Sequence, residues 1–545
     1  DWERKFGRDP DPSPGRPRIQ VPLARHHALL RWLADNLQVT PPQEERKLWE
    51  LARDTFARLC DHWLDPVPDE VGLIAVLLQG AVTLADHSGS AHVPLQSHMP
   101  LPRGFITRLV SAYPHQKQAA EVSGNLVLTA PTGSGKTEAG LAWASRQLDD
   151  MPAQPRLVWV LPYRASIDAA RKRFRGVLEA PPGEKHPDIG VVHATAARTL
   201  LTEAVADDRS PGADDARKAH SRAGAMRLFA QRIRVTTPYQ LLRAAIAGPR
   251  YSSVLLEQAN ALFVLDELHA YEPDTFGRLC AAMRMWQRLG SRVAVLSATL
   301  APPMLDLIAD TLGPSVRFCR AEPGTAPDRH RLVIDDQPIT TPSSLDRIRG
   351  WLMDGHSVLV VANTVATAQR LFTELAPTAR QACPGDPDAA ILLHSRFRAD
   401  DRARIEQRIL ARHPERKAGE IHRRGGLVVA TQVLEVSLCL DFDRGASELA
   451  PIEALAQRAG RVNRRGRHPE GIVEFRIHPV EDPRPYDPGA LDAAMFALHQ
   501  VPGPIISEET IESWLKVAYE TSWGLQWLAE ARHHRDDFER DFLTF

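Results

Sequence analysis

Cysteine is scarce in this 545-residue chain, with five in all: Cys60, Cys280, Cys319, Cys383 and Cys439. They are scattered without the short spacings of a disulfide framework or a zinc site, so neither is signalled, and a reducing cytoplasm is the expected setting. Net charge is nearly absent as well, at −1 from 67 basic and 68 acidic residues. That excludes a globally basic nucleic-acid binder. Any such contact must come from local patches, in a chain where arginine heavily outnumbers lysine. No apolar run approaches bilayer-spanning length and nothing resembles a signal peptide, so no membrane partner is expected. An initiator methionine is missing too: the chain opens on Asp1, as a stretch from inside a longer natural protein would.

What is present is ordinary in kind, 43% hydrophobic and 25% charged, but too long for one core, so three to four domains are expected. Residues 1–104 read as a helical domain, with helix-like periods over 25–33, 44–63 and 71–86. Over 105–318 apolar runs alternate with helical stretches, at 126–129, 157–161, 190–193, 233–236, 262–266 and 293–297. This pattern implies a parallel sheet covered by helices on both faces. Residues 203–232 read as an exposed helical insertion. A Pro/Gly-rich linker at 321–328 opens a second alternating region, 319–478, with strands at 357–362, 390–394, 427–430 and 472–476. Residues 479–545 read as a linker and a helical C-terminal segment. The expected class is α/β, two similar domains facing each other across a cleft.

The first of these domains carries Ala130-Pro131-Thr132-Gly133-Ser134-Gly135-Lys136-Thr137 between an apolar strand and a helix. Strand, glycine loop and helix form a phosphate cradle: backbone N–H groups curl around oxygens, and the helix N-terminus adds its positive end. Lys136 would reach the terminal phosphates and Thr137 would hold magnesium. The competing reading is a chance Gly-Ser-Gly turn with a solvated lysine.

Further on, a buried strand ends in Asp266-Glu267-Leu268-His269. At the carboxyl edge of a parallel sheet, Asp266 can take a magnesium-bound water, and Glu267 can deprotonate an attacking water. Ser297-Ala298-Thr299 ends another strand in hydroxyls that could link the acid pair to the second domain. There, Gln457-Arg458-Ala459-Gly460-Arg461-Val462-Asn463-Arg464-Arg465 packs arginines at helical spacing. A solvated basic face is the usual fate of such a run. However, Arg458, Arg461 and Arg465 lie near one face with Arg464 beside them, and a nucleotide cleft needs an arginine to stabilise transferring phosphoryl charge.

In this order and spacing the motifs resemble a superfamily 2 helicase of the DExH kind over residues 105–478, in which Ala130 for the first loop glycine is a familiar variant. The resemblance implies two tandem RecA-like domains. It also assigns roles to further positions. Gln116 would read adenine, while Arg164, Thr236 and Thr237 in the first domain, and Thr364, Ser395, Arg396 and Thr431 in the second, would grip a nucleic-acid backbone. Asp266-Glu267-Leu268-His269-Ala270-Tyr271 and Arg458-Ala459-Gly460-Arg461-Val462-Asn463-Arg464 look more narrowly like the CRISPR-associated helicase–nuclease of type I systems. That family implies ATP and Mg2+ as cofactors, single-stranded DNA as track, and a guide-RNA surveillance (Cascade-like) complex as partner. Two departures stand out. Cys439 replaces a usual aspartate, and no His-Asp dipeptide, the defining metal pair of the nuclease, occurs anywhere. His26, His27 and Asp86 are the only leftover candidates for its transition-metal ligands, so residues 1–104 read as a truncated or degenerate nuclease domain. Surface histidines and a helix-end aspartate are the plainer alternative. A general DExH RNA or repair helicase, or a clamp that binds without unwinding, are the competing functions.

Overall fold

The computed structural model describes residues 27–28, 30–32, 34–35, 48–62, 65–90, 96–192, 231–246, 251–322, 324–417, 419–420, 423–435, 439–501 and 503–545. Most of the expected insertion at 203–232 thus lies outside the described residues. Two compact units are distinguished, residues 1–73 with Phe545 and residues 74–544. In the first, Leu48–Asp61 is a helix within the expected 44–63 period, and a second helix, Asp69–Ser90, begins there. Asp69 and Glu70 in its first turn complement the helix dipole. This helix corrects one expectation. By length and composition alone its 22 residues could cross a membrane, and 17% of the apolar window is buried. Gly72, Gly80 and Thr83 dilute the apolar run in sequence, which conceals its helical length.

The second unit contains two parallel sheets. The first has seven strands: β1 (Leu126–Thr129), β2 (Arg156–Val160), β3 (Ile189–Val192), β4 (Ile233–Thr236), β5 (Ala261–Asp266), β6 (Arg292–Ser297) and β7 (Arg317–Arg320). Their order is β3-β4-β2-β5-β6-β1-β7. The central strands are apolar throughout because helices cover both faces, so no alternation marks them. Register then decides where chemistry can occur. Thr129 pairs with Ser297 and Asp266 with Leu296, so the carboxyl ends of β1, β6 and β5 lie side by side and their loops emerge at one edge.

The second sheet has six strands: β8 (His330–Ile334), β9 (Ser357–Val361), β10 (Ala390–Leu393), β11 (Gly426–Ala430), β12 (Arg444–Glu448) and β13 (Val473–His478), ordered β10-β11-β9-β12-β13-β8. Each sheet has its own buried core, one around Trp143, Trp159 and Phe174, the other around Val358, Leu371 and Val429. Three strands escape sequence reading. β7 is an exposed edge, β8 lies beyond a Pro-rich linker, and β12, Arg-Gly-Ala-Ser-Glu, is polar yet buried. β7 also carries the first sheet two residues past Phe318.

The C-terminal segment forms three helices, Pro488–Gln500, Glu508–Tyr519 and Ser522–Phe542. The last packs on the first domain's Pro273–Arg288 helix, where Trp527 meets Phe276 edge-on at 5.2 Å and Arg284 pairs with Glu539 at 3.1 Å. The middle one reaches the second domain, where Tyr519 donates to Glu453 at 2.9 Å. The segment therefore brackets both domains.

Candidate active site

The loop after β1 owes its shape to two glycines in left-handed backbone, Gly133 (φ 87°) and Gly135 (φ 83°). A Cβ on Gly135 would lie 2.2 Å from Gln116 Nε2. Gln116 itself donates to the Gly135 carbonyl at 3.0 Å and accepts from the Tyr113 N–H at 2.9 Å, so it is fixed against the loop it is expected to serve. Lys136 is buried, its Nζ donating to the Ala130 and Pro131 carbonyls at 3.2 and 3.4 Å. Thr132 and Thr137 line the same cleft, and the buried Ser134 hydroxyl donates to the Pro131 carbonyl at 2.8 Å. Arg173, from the Arg164–Val177 helix, donates to the Thr137 hydroxyl at 3.1 Å.

Opposite the loop, Asp266 ends β5 and accepts from Trp159 Nε1 at 3.2 Å. Burial, reinforced by the adjacent Glu267, pushes its carboxyl up to about 7. Two acids so close in a half-buried place suit a cation. Glu267 takes a left-handed conformation (φ 56°), unusual for a residue with a side chain, and its Oε2 has no hydrogen-bond partner. His269 Nδ1 lies 3.5 Å from that oxygen and 2.8 Å from Ser297 Oγ. Its Nε2 lies 3.4 Å from Gln457 Nε2, which comes from the other domain. The amide can only donate there, so the imidazole accepts at Nε2 and donates from Nδ1 to Ser297. Burial lowers the pKa of His269 and favours that neutral form. Ser297 Oγ also accepts from the Thr299 N–H at 3.2 Å, while Thr299 Oγ1 is buried without a partner. The coupling residues thus form one string from the acid pair to the second domain.

The expected helical run of arginines is not one helix: the helix Ile452–Ala459 carries Arg458 alone, and Arg461, Arg464 and Arg465 follow in the turns after Gly460. Arg458 is fully buried and points into its own domain: it donates to Glu435 (2.7 Å), Ser447 Oγ (2.9 Å), Tyr486 (2.9 Å) and Asn363 (3.1 Å). The expectation that it shares the cleft face is therefore corrected. Arg461 and Arg464 do line the cleft. Arg461 donates to the Glu435 carbonyl at 2.5 Å, and burial pulls its guanidinium down to about 10. Arg464 Nε donates to Glu415 at 2.6 Å, and its Nη1 is buried with no partner. Together with Arg465, these groups enclose a cleft of about 1730 Å3 between the two domains. Phosphate oxygens would satisfy the orphaned Arg464 Nη1, and an attacking water would satisfy Glu267 Oε2, so the donors and acceptors present fit a nucleoside triphosphate.

The expected backbone-gripping residues all fall at carboxyl ends of strands. Thr236 ends β4, Thr364, Ser395 and Thr431 follow β9, β10 and β11, and Arg164 opens a helix after β2. Ser395 and Arg396 are exposed; Thr236, Thr237 and Thr431 are buried, and Thr364 caps the Val365–Ala382 helix by accepting from the Thr367 N–H. The Arg164 side chain lies outside the described residues, as does all of His26. His27 belongs to the first unit and the exposed Asp86 to the second. Among the described residues the His/Asp group close enough to share an ion is elsewhere: His356, Asp443 and His468, at the amino ends of β9, β12 and β13. Two of its three residues are already engaged. Asp443 binds Ser357 and Arg416, and His468 Nδ1 accepts from the Glu470 N–H, so it serves as a lock between strands.

Two α/β domains that close a phosphate loop and an acid pair against arginines from the facing domain define a superfamily 2 helicase core. The model of the DEAD/DEAH box helicases matches residues 113–307, and that of the C-terminal part of the CRISPR-associated nuclease/helicase Cas3 matches residues 354–467. These two matches support a CRISPR-associated helicase of this superfamily. It is 27% identical over 476 residues to the CRISPR-associated nuclease/helicase Cas3 of Methanothermobacter thermautotrophicus, covering 83% of this chain and 53% of that protein. The CRISPR-associated endonuclease/helicase Cas3 of Thermus thermophilus is 30% identical over 418 residues, 65% of this chain and 44% of that one. Among solved structures, T. fusca Cas3 with AMPPNP superposes with a TM-score of 0.64 at 22% identity, over 82% of this chain and 57% of that one, which shows the tandem RecA-like fold. The chain spans about half the length of the curated relatives it matches.

Sequence reading missed two parts of the site: Arg173 sits in an arginine-rich helix with nothing to single it out, and Glu415 is a lone acid in a loop. Arg465, named among the arginines of one face, does line the cleft.

Proposed function

We propose that this chain is the motor of type I CRISPR interference: an ATP-driven, cytoplasmic single-stranded-DNA translocase and helicase, recruited to DNA opened by a guide-RNA surveillance complex. The observation that carries it is the string Glu267–His269–Gln457, which ties the acid at the phosphate loop to the domain that must move. In hydrolysis, water attacks the γ-phosphorus, a new P–O bond forms, the β–γ bridge breaks, and Glu267 takes the proton. Arg461 and Arg464 face the phosphate charge that develops. Thr137 and Asp266 would hold Mg2+, which supplies neutralisation of phosphate charge. Because Gln457 touches His269 across the boundary between the domains, hydrolysis would be coupled to domain motion, and backbone grips on both sheets would convert that motion into steps along any sequence. One surveillance-complex structure, titled pre-nicking, aligns with 91% of this chain at a TM-score of 0.62 and 21% identity, which supports such a partner. The relatives' names join helicase to nuclease; for this chain we propose the motor alone.

The test is ATP turnover with and without single-stranded DNA. Lys136→Ala and Glu267→Gln should each lower DNA-stimulated turnover by about 10²–10³-fold. Full activity in either variant would refute the assignment. Stimulation by RNA but not DNA would favour a general RNA helicase, and binding a fluorescent duplex without releasing a strand would favour a clamp.

A further inference from the structure

One contact across the cleft is used by none of the roles above. Arg465 Nη1 donates to the Gly133 carbonyl of the phosphate loop at 2.7 Å, bridging 332 residues of sequence. Its Nε donates to Glu415 Oε2 at 3.2 Å, and the other oxygen of the same carboxylate takes Arg464 Nε at 2.6 Å. The guanidinium also lies against the loop backbone, since a Cβ on Gly133 would meet Nη1 at 3.4 Å and Cζ at 3.6 Å. Burial disfavours charge on Glu415, but Arg464 and Arg465 outweigh it and hold its carboxyl below the usual range. The carboxylate is therefore charged in the folded protein and fixes the spacing of two guanidinia. One is tied to the loop; the other belongs to a cleft-lining residue and keeps a buried Nη1 without a partner.

We infer that Arg465, anchored by Glu415, is a positioning residue for ATP hydrolysis: it clamps the phosphate loop to the second domain, and Glu415 sets Arg464 at a fixed distance from that loop. The inference rests on the proposed ATPase reading and deepens it. Arg465 acts on backbone and carboxylate, not on substrate. A guanidinium suits this task because its forked donors can hold a carbonyl and a carboxylate at once, which an ammonium does less well. A misplaced stabilising arginine costs rate far more than affinity, because its work is done in the transition state.

Arg465→Ala, Arg465→Lys and Glu415→Gln test it in two ways. The first readout is hydrogen–deuterium exchange of the peptide covering residues 130–137 in the full chain without nucleotide. Exchange should quicken by about threefold or more in Arg465→Ala and return part of the way in Arg465→Lys. The second is steady-state kinetics: Arg465→Ala and Glu415→Gln should lower kcat by about tenfold with KM for ATP within about twofold, and Arg465→Lys should recover only part of the loss. Unchanged exchange in Arg465→Ala, a lysine variant no better than alanine, or a loss confined to KM would each overturn the clamp. If the natural chain hydrolyses no ATP, the proposed function fails, while the exchange measurement still decides whether Arg465 holds the loop.

Discussion

At the scale of single residues, the arginines at and after the end of the Ile452–Ala459 helix show how the fold separates roles that sequence spacing merges. Arg458 and Arg461 are three apart, so a helical wheel would place them together, but the helix ends at Ala459, between them. The fold turns Arg458 inward, where it neutralises Glu435 and approaches the Glu448 carbonyl, while burial acts to raise the pKa of both acids. Arg458→Ala would leave that cluster uncompensated. Losing one partner of a buried pair typically costs about 3–5 kcal/mol, and chemical denaturation should show a loss of that order. Arg464→Ala should instead leave the unfolding midpoint near that of the natural chain and lower ATP turnover. Equal destabilisation by the two changes would show that Arg464 too is a structural residue. None of this was legible in the sequence, because the acids that receive Arg458 come from β12 and from the loop after β11, brought together only by the tertiary fold.

At the scale of elements, legibility tracked hydrophobicity. Strands β1, β2, β5, β6, β9 and β11 are unbroken apolar runs and were readable to within a residue or two; β12 was not, because Arg444, Ser447 and Glu448 are buried by partners supplied from elsewhere. The site followed the same rule. Glycines and acids placed at strand ends were visible, while Glu415, which acts through two distant guanidinia, was not. Nor could the sequence say where the C-terminal helix docks. The reason it docks on Pro273–Arg288 is Gly277. A Cβ there would lie 2.1 Å from the Ala531 carbonyl, so glycine lets the two backbones approach within reach of the Phe276–Trp527 contact. Gly277→Val should force the helices apart. Overpacking of this kind costs about 1–3 kcal/mol, to be read as a lowered unfolding midpoint. A midpoint equal to that of the natural chain would mean that the helix pair is not docked in solution.

For the whole molecule, near-zero net charge constrains how it can hold DNA. A chain with 67 basic and 68 acidic residues carries no net positive charge, and the contacts proposed for its track are hydroxyls and a few arginines at strand ends. Thr236, Thr237, Thr364, Ser395 and Thr431 can hydrogen-bond phosphates but displace no counterions; of the proposed contacts only Arg164 and Arg396 carry charge. Each phosphate neutralised on a single strand contributes a slope of about −0.7 to log K against log salt, so two such contacts give about −1.4. Fluorescence-anisotropy titrations of single-stranded DNA from 50 to about 200 mM salt should show that shallow slope, and Arg396→Ala should reduce its magnitude by about 0.7. A slope several times steeper would mean that a basic surface outside these positions dominates binding. The shallow dependence suits a motor, because a grip made mainly of neutral hydrogen bonds can be released at each step with little counterion rearrangement, leaving ATP hydrolysis rather than ionic strength to set when the strand is let go.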